Sequence, residues 1–100
     1  MRKTYKVVNG YISRKGYPEH DPNYHEAHTI ANQKEKAKYP KGYLRLKKLD
    51  QKVPAGKMIG HNTKSGKISV SNKVPKSLRE EVAFHERVES KALRRLRNKR

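Results

Sequence analysis

Val82-Ala83-Phe84-His85-Glu86-Arg87-Val88-Glu89 is the stretch from which the rest of the chain is read. His85 and Glu89 stand four positions apart, one helical turn, and so share a face. That face extends in both directions. Leu78, Val82, His85, Glu89, Leu93 and Leu96 recur at helical spacing, a continuous stripe with a histidine and a glutamate in its middle. Val74-Pro75 opens this last helix, because proline suits a first turn.

The spacing also carries chemistry. In His-Glu-x-x-His on a helix, two ligands one turn apart reach a single zinc ion, and the intervening Glu is a general base for the bound water. Here Glu89 stands where the second His would be, and carboxylate oxygen is also a zinc ligand. A competing reading pairs Glu81, Glu86 and Glu89 with Arg79, Arg87 and Arg94 on a solvated helix face.

Outward from the helix, Met58–Thr63 and Lys67–Ser71 bracket Lys64-Ser65-Gly66 and predict a half-buried hairpin. Tyr43-Leu44-Arg45-Leu46 alternates, which predicts a strand within 43–49. Asp21-Pro22 sets an N-cap and a first helical residue for a helix running to Lys38 and ending before Pro40. Tyr24, Ala27, His28, Ala31 and Glu35 fall on one face of it. Asn9-Gly10 between Thr4–Val8 and Tyr11–Arg14 predicts another hairpin. The expected fold class is α+β: two helices packed on a small antiparallel sheet of hairpins. Residues 1–93 form one domain, and 94–100 form a basic C-terminal tail continuing the last helix.

The His85–Glu89 helix, preceded by Gly66-Lys67-Ile68-Ser69-Val70-Ser71, resembles the edge strand and active-site helix of minimal zincin-like metallopeptidases over residues 57–93. The resemblance implies His85 and Glu89 as metal ligands and Glu86 as catalytic base. It also implies a third ligand. The chain ends eleven residues after Glu89, so that ligand must come from upstream. His28, within Ala27-His28-Thr29-Ile30-Ala31, is the candidate. Some zincin-like families pair such a helix with an Ala-His-x-x-Ala segment downstream. The reversed order here implies a permuted zincin-like fold.

Charge points elsewhere. The 100 residues hold 26 Lys and Arg against 9 Asp and Glu, a formal charge of +17, with no cysteine. There is no disulfide framework and no thiolate metal site. No apolar run approaches the ~20 residues of a membrane span, and a cytoplasmic home is expected. A soluble surface needs a net charge of only about 2–8. The surplus predicts phosphate contacts from Arg2, Lys3, Arg14, Lys15, Lys64, Lys67, Arg94, Arg95, Arg97 and Arg100. Interleaved tyrosines suit stacking on unpaired bases. Length, charge and the basic tail resemble a ribosomal protein, which implies rRNA and neighbouring ribosomal proteins as partners. The sequence alone thus ranks a structural RNA-binding protein, needing no cofactor, ahead of a zinc peptidase.

Overall fold

The computed structural model describes residues 5–13, 22–63 and 66–98. The elements in chain order are β1 (Lys6–Val8), β2 (Ile12–Ser13), α1 (Pro22–Lys38), α2 (Pro40–Asp50), β3 (Lys57–Met58), β4 (Gly60–Asn62), β5 (Ile68–Ser71) and α3 (Lys76–Asn98). The class is α+β, as the sequence predicts. Its details differ from that expectation in four places.

The Asn9-Gly10 hairpin does not form. β1 runs parallel to β5, with Val7 opposite Val70, while β2 pairs antiparallel with β3. A two-residue hairpin turn of type I′ needs positive φ at both positions. Among the described residues only glycines have it, Gly10 at 82°. The turn is held instead by the end of β5 and the residue after it: Gly10 N donates to Asn72 Oδ1 at 2.8 Å, and Ser71 Oγ donates to the Gly10 carbonyl at 2.6 Å.

The predicted strand at 43–49 is helix α2, giving three helices among the described residues rather than two. Pro40 supplies its first turn. Tyr39, extended at φ −129° as a residue before proline tends to be, separates it from α1.

The third difference concerns the sheet. Its order is β1-β5-β4, so it is mixed rather than antiparallel, and the 67–71 strand is central rather than an edge. β1 and β4 are its edge strands among those described. The fourth is the split of the 58–63 segment: Met58 pairs with Ile12, whereas 60–62 forms the predicted hairpin with β5.

Two apolar clusters hold these layers. Leu78, Val82 and Ala83 of α3 pack on Ile68 and Val70 of β5, with Val74 and Leu46. Val70 and Val74 are fully buried, and each such side chain contributes about 2 kcal/mol. Second, Ala27 of α1 meets Ala92 and Leu93 of α3, flanked by Tyr24, Ile30 and Leu96. Small alanines let the two helices approach closely. That approach carries His28 and Glu35 to the His85–Glu89 face.

Candidate metal centre

Five acids and imidazoles converge between α1 and α3. His85 is buried on α3. Its Nδ1 lies 2.8 Å from Glu35 Oε1, and its Nε2 lies 3.2 Å from Glu89 Oε2. His28 reaches the same Glu89 oxygen through Nδ1 at 2.8 Å. Ligand atoms of His28, His85 and Glu89 all lie within 4.8 Å of one another. Adjacent ligands of a tetrahedral zinc stand about 3.3 Å apart at ordinary bond lengths. A modest widening around Glu89 Oε2 therefore accommodates an ion.

The supporting groups match what a metal-bound imidazole needs. A ligating His presents one nitrogen and donates the other N–H to a carboxylate or carbonyl. Glu35, two turns after His28 on α1, accepts from His85 Nδ1 and leaves Nε2 facing Glu89 and His28. From β4, Asn62 Nδ2 donates to Glu86 Oε1 at 2.8 Å and to Glu89 Oε1 at 3.2 Å. His28 stacks on Tyr24 and meets the His85 ring edge-on. Its side chain is 42% exposed against 3% for Glu89, so the centre opens to solvent on the His28 side.

Electrostatics follow from burial and pairing. Burial opposes a proton on His85, but hydrogen bonds to Glu35 and Glu89 and the charges of Glu86 and Glu89 outweigh it and push the imidazole up to about 10. Burial would raise Glu89, yet hydrogen bonds from His28 and His85 hold its carboxyl at about 2. Glu35 likewise ends below its usual range, held there by His85 and Glu81 against its own burial. Glu86 is pushed up to about 7, by burial first and then by the neighbouring Glu89. Such a carboxyl is poised as a proton acceptor near neutrality.

Gly60 of β4 packs directly on this group. A Cβ there would sit 2.7 Å from Val82 Cγ1 and 3.0 Å from Glu86 Oε2.

The surface-pairing reading of the α3 acids is overturned, because Glu81, Glu86 and Glu89 are all buried. The ion pair present on that side is between Arg87 and Glu80, 3.4 Å apart. The structure thus brings together all three proposed ligands and Glu86. It adds Glu35 and Asn62, to which the sequence reading assigned no role, and Glu81, which that reading gave only a solvated ion pair. Glu35 was detectable as the next polar position on the His28 face. Asn62 carried no signal.

A scan against protein-family models gives no match, and searches of curated proteins and of solved structures give none either. The site is read from its own chemistry.

Among the basic residues, Arg2, Lys3, Arg14, Lys15, Lys64 and Arg100 lie outside the described residues. Lys67, Arg94, Arg95 and Arg97 are exposed. Arg94 comes to the β4–β5 turn, its Nη2 3.8 Å from where a Cβ on Gly66 would stand. Arg95 projects about 100° further round α3, away from that turn. No described helix is long and apolar enough to cross a membrane.

Proposed function

We propose that the protein is a zinc-dependent hydrolase, a minimal peptidase with a zincin-like site in permuted order. α1, with His28 and Glu35, precedes α3, with His85, Glu86 and Glu89. The observation that carries this reading is the convergence of two imidazoles on one buried carboxylate oxygen, with Glu35 behind His85 and Glu86 beside it. His28, His85 and Glu89 would hold the ion, which would acidify a water and polarise a carbonyl. Glu86 accepts the proton released by the water. Asn62 fixes the carboxylates of Glu86 and Glu89 relative to each other.

β4 supports a peptide as substrate. The Ser71 N–H donates to the Ile59 carbonyl and the Thr63 N–H to the Lys67 carbonyl. Antiparallel alternation then turns the backbone groups of Gly60 and Asn62 away from β5. An extended chain pairing there would pass over Glu86 and Glu89. The test is zinc content and peptide hydrolysis. Wild type should bind one zinc and cleave, His85→Ala should lose the zinc, and Glu86→Gln should keep zinc but lose turnover. Wild-type protein without zinc affinity would end this reading.

A second reading accounts for the shell: the surface docks on RNA, with rRNA in a ribosomal subunit as the natural polyanion. Every described lysine and arginine is exposed or half-buried, whereas the exposed described acids are Glu26, Asp50 and Glu80. Co-sedimentation with ribosomal subunits, lost at high salt, is expected. Absence of co-sedimentation at low salt would remove it.

A further inference from the structure

We infer that this site takes peptides carrying an acidic side chain, held by Arg94 two or three residues from the bond facing the metal centre. The inference rests on the hydrolase reading and deepens it.

The argument starts from β4. An extended ligand pairing with Gly60 and Asn62 lies along the sheet edge and continues, at the Asn62 end, toward the β4–β5 turn. There Gly66 N donates to the Thr63 carbonyl at 2.9 Å, and Gly66 holds φ at 88°. A guanidinium nitrogen of Arg94 rests beside it, 3.8 Å from the position a side chain on Gly66 would occupy. The guanidinium thus lies within van der Waals reach of the strand end. Lys67, just beyond the turn, is exposed.

The surroundings make this end of the sheet edge cationic. No acid follows Glu89 in the sequence, and no described acid pairs with Arg94. Distance sets the subsite. Arg94 is five positions beyond Glu89, about 7.5 Å along the helix axis and about 140° round it, and its long side chain closes that rotation by reaching Gly66. An extended peptide advances about 3.3 Å per residue, so two to three residues bridge the gap. A guanidinium presents paired N–H donors that match a carboxylate. A neutral or basic side chain would leave those donors unmatched.

The protein's overall charge attracts any anion, so the test must separate Arg94 from the general field. The probes are fluorescein-labelled heptapeptides rich in Thr and Val, with one Asp placed at each position in turn, and the same set with Asn. Binding to full-length Glu86→Gln protein, with and without zinc, is read by anisotropy at 0.15 M salt to screen distant charges. One Asp position should bind about tenfold tighter than its Asn counterpart, the scale of one charge-assisted hydrogen bond. Arg94→Gln should bring that ratio close to one. Arg45→Gln, which removes an equal charge from the exposed face of α2, should leave it intact.

A ratio unmoved by Arg94→Gln, or reduced equally by Arg45→Gln, overturns the inference. So does an oligouridine that displaces the Asp peptide from wild type but not from the Arg94 variant, because nucleic acid is then the ligand of that position. If the Asp preference depends on Arg94 but zinc never binds, the acidic-peptide subsite stands and the hydrolase reading falls.

Discussion

Glu81→Gln should make the protein more stable, and by an amount that depends on pH in a set way. Glu81 is 2% exposed on α3. It lies against Gly42 of α2, and its Oε2 has no partner among the described residues. Burial first, and then the neighbouring Glu35, push its carboxyl up to about 8. At neutral pH it is therefore a carboxylic acid whose proton is shared with Glu35. The unfolded chain releases that proton above the ordinary value of 4.5. Stability is therefore lost between pH 4.5 and 8, because over that range the unfolded state binds fewer protons than the native one. One proton corresponds to about 1.4 kcal/mol per pH unit. At pH 7 the cost is at most about 3 kcal/mol. Glutamine keeps a hydrogen-bond donor toward Glu35 and has no proton to lose. Urea unfolding at pH 4.5, 6 and 7.5 should show the variant and wild type equal at the lowest pH and diverging steadily above it. A difference independent of pH would refute the shared-proton account, whatever its size.

Other perturbations give equally definite outcomes. Gly42→Ala, which in an ordinary helix stabilises by about 0.5–1 kcal/mol, should destabilise here, because its Cβ would overlap Glu81 Oε1; thermal melts decide the sign. Zinc binding at pH 7 should release between one and two protons, mainly from His85 and in part from Glu86, since both are protonated above their usual values without metal. Calorimetry in buffers of different ionisation enthalpy counts them, and a count of zero would exclude His85 as ligand. Removing Arg94, Arg95 and Arg97 together should lower the log–log salt slope of RNA binding by about 2–3 if all three meet phosphates. An unchanged slope would clear this helix end of any role in the RNA reading.

How far the sequence could be read depended on which interactions decide each element. Local chemistry decides α1, where Pro22 starts the helix and Pro40 stops its continuation, and both bounds were legible. It also decides the 60–71 hairpin and the His85–Glu89 face. At α2 the alternating pattern misled. As a strand, Leu44 and Leu46 would share a face, but on a helix they lie about 200° apart; Leu46 is buried and Leu44 is 63% exposed. At Asn9-Gly10 the turn chemistry was real, but pairing was decided by β5. A central strand needs its backbone groups paired on each edge, and β1 supplies one of the two partners of β5. His85, Glu86 and Glu89 were legible as a set because helical spacing fixes them, whereas His28 was singled out by the resemblance and by its place on the inward face of α1. Periodicity placed Glu35 on the His28 face but not its contact with His85, and Glu81 and Asn62 matter only through contacts across elements, which periodicity does not encode.

Energetics bear on what the cluster is for. Four carboxylates surround one buried imidazole, and protons compensate them: one on each nitrogen of His85 and others held by Glu81 and Glu86. Desolvating such groups is expensive, and well-packed apolar side chains of similar volume commonly replace buried ion pairs with no loss of stability or a gain of 1–4 kcal/mol. A chain with so few apolar residues would be expected to make that exchange if stability were at stake. We therefore expect His85→Leu combined with Glu35→Leu and Glu89→Leu to fold at least as stably as wild type without metal. Zinc should then raise the melting temperature of wild type only. Removing His85 alone should instead be strongly destabilising, because it leaves Glu35 and Glu89 buried and uncompensated. If the triple variant loses several kcal/mol, the cluster is a structural keystone and its ion-binding geometry is incidental. If it gains, the protein is keeping a costly anionic pocket inside a cationic shell, and a bound cation is the use that geometry fits.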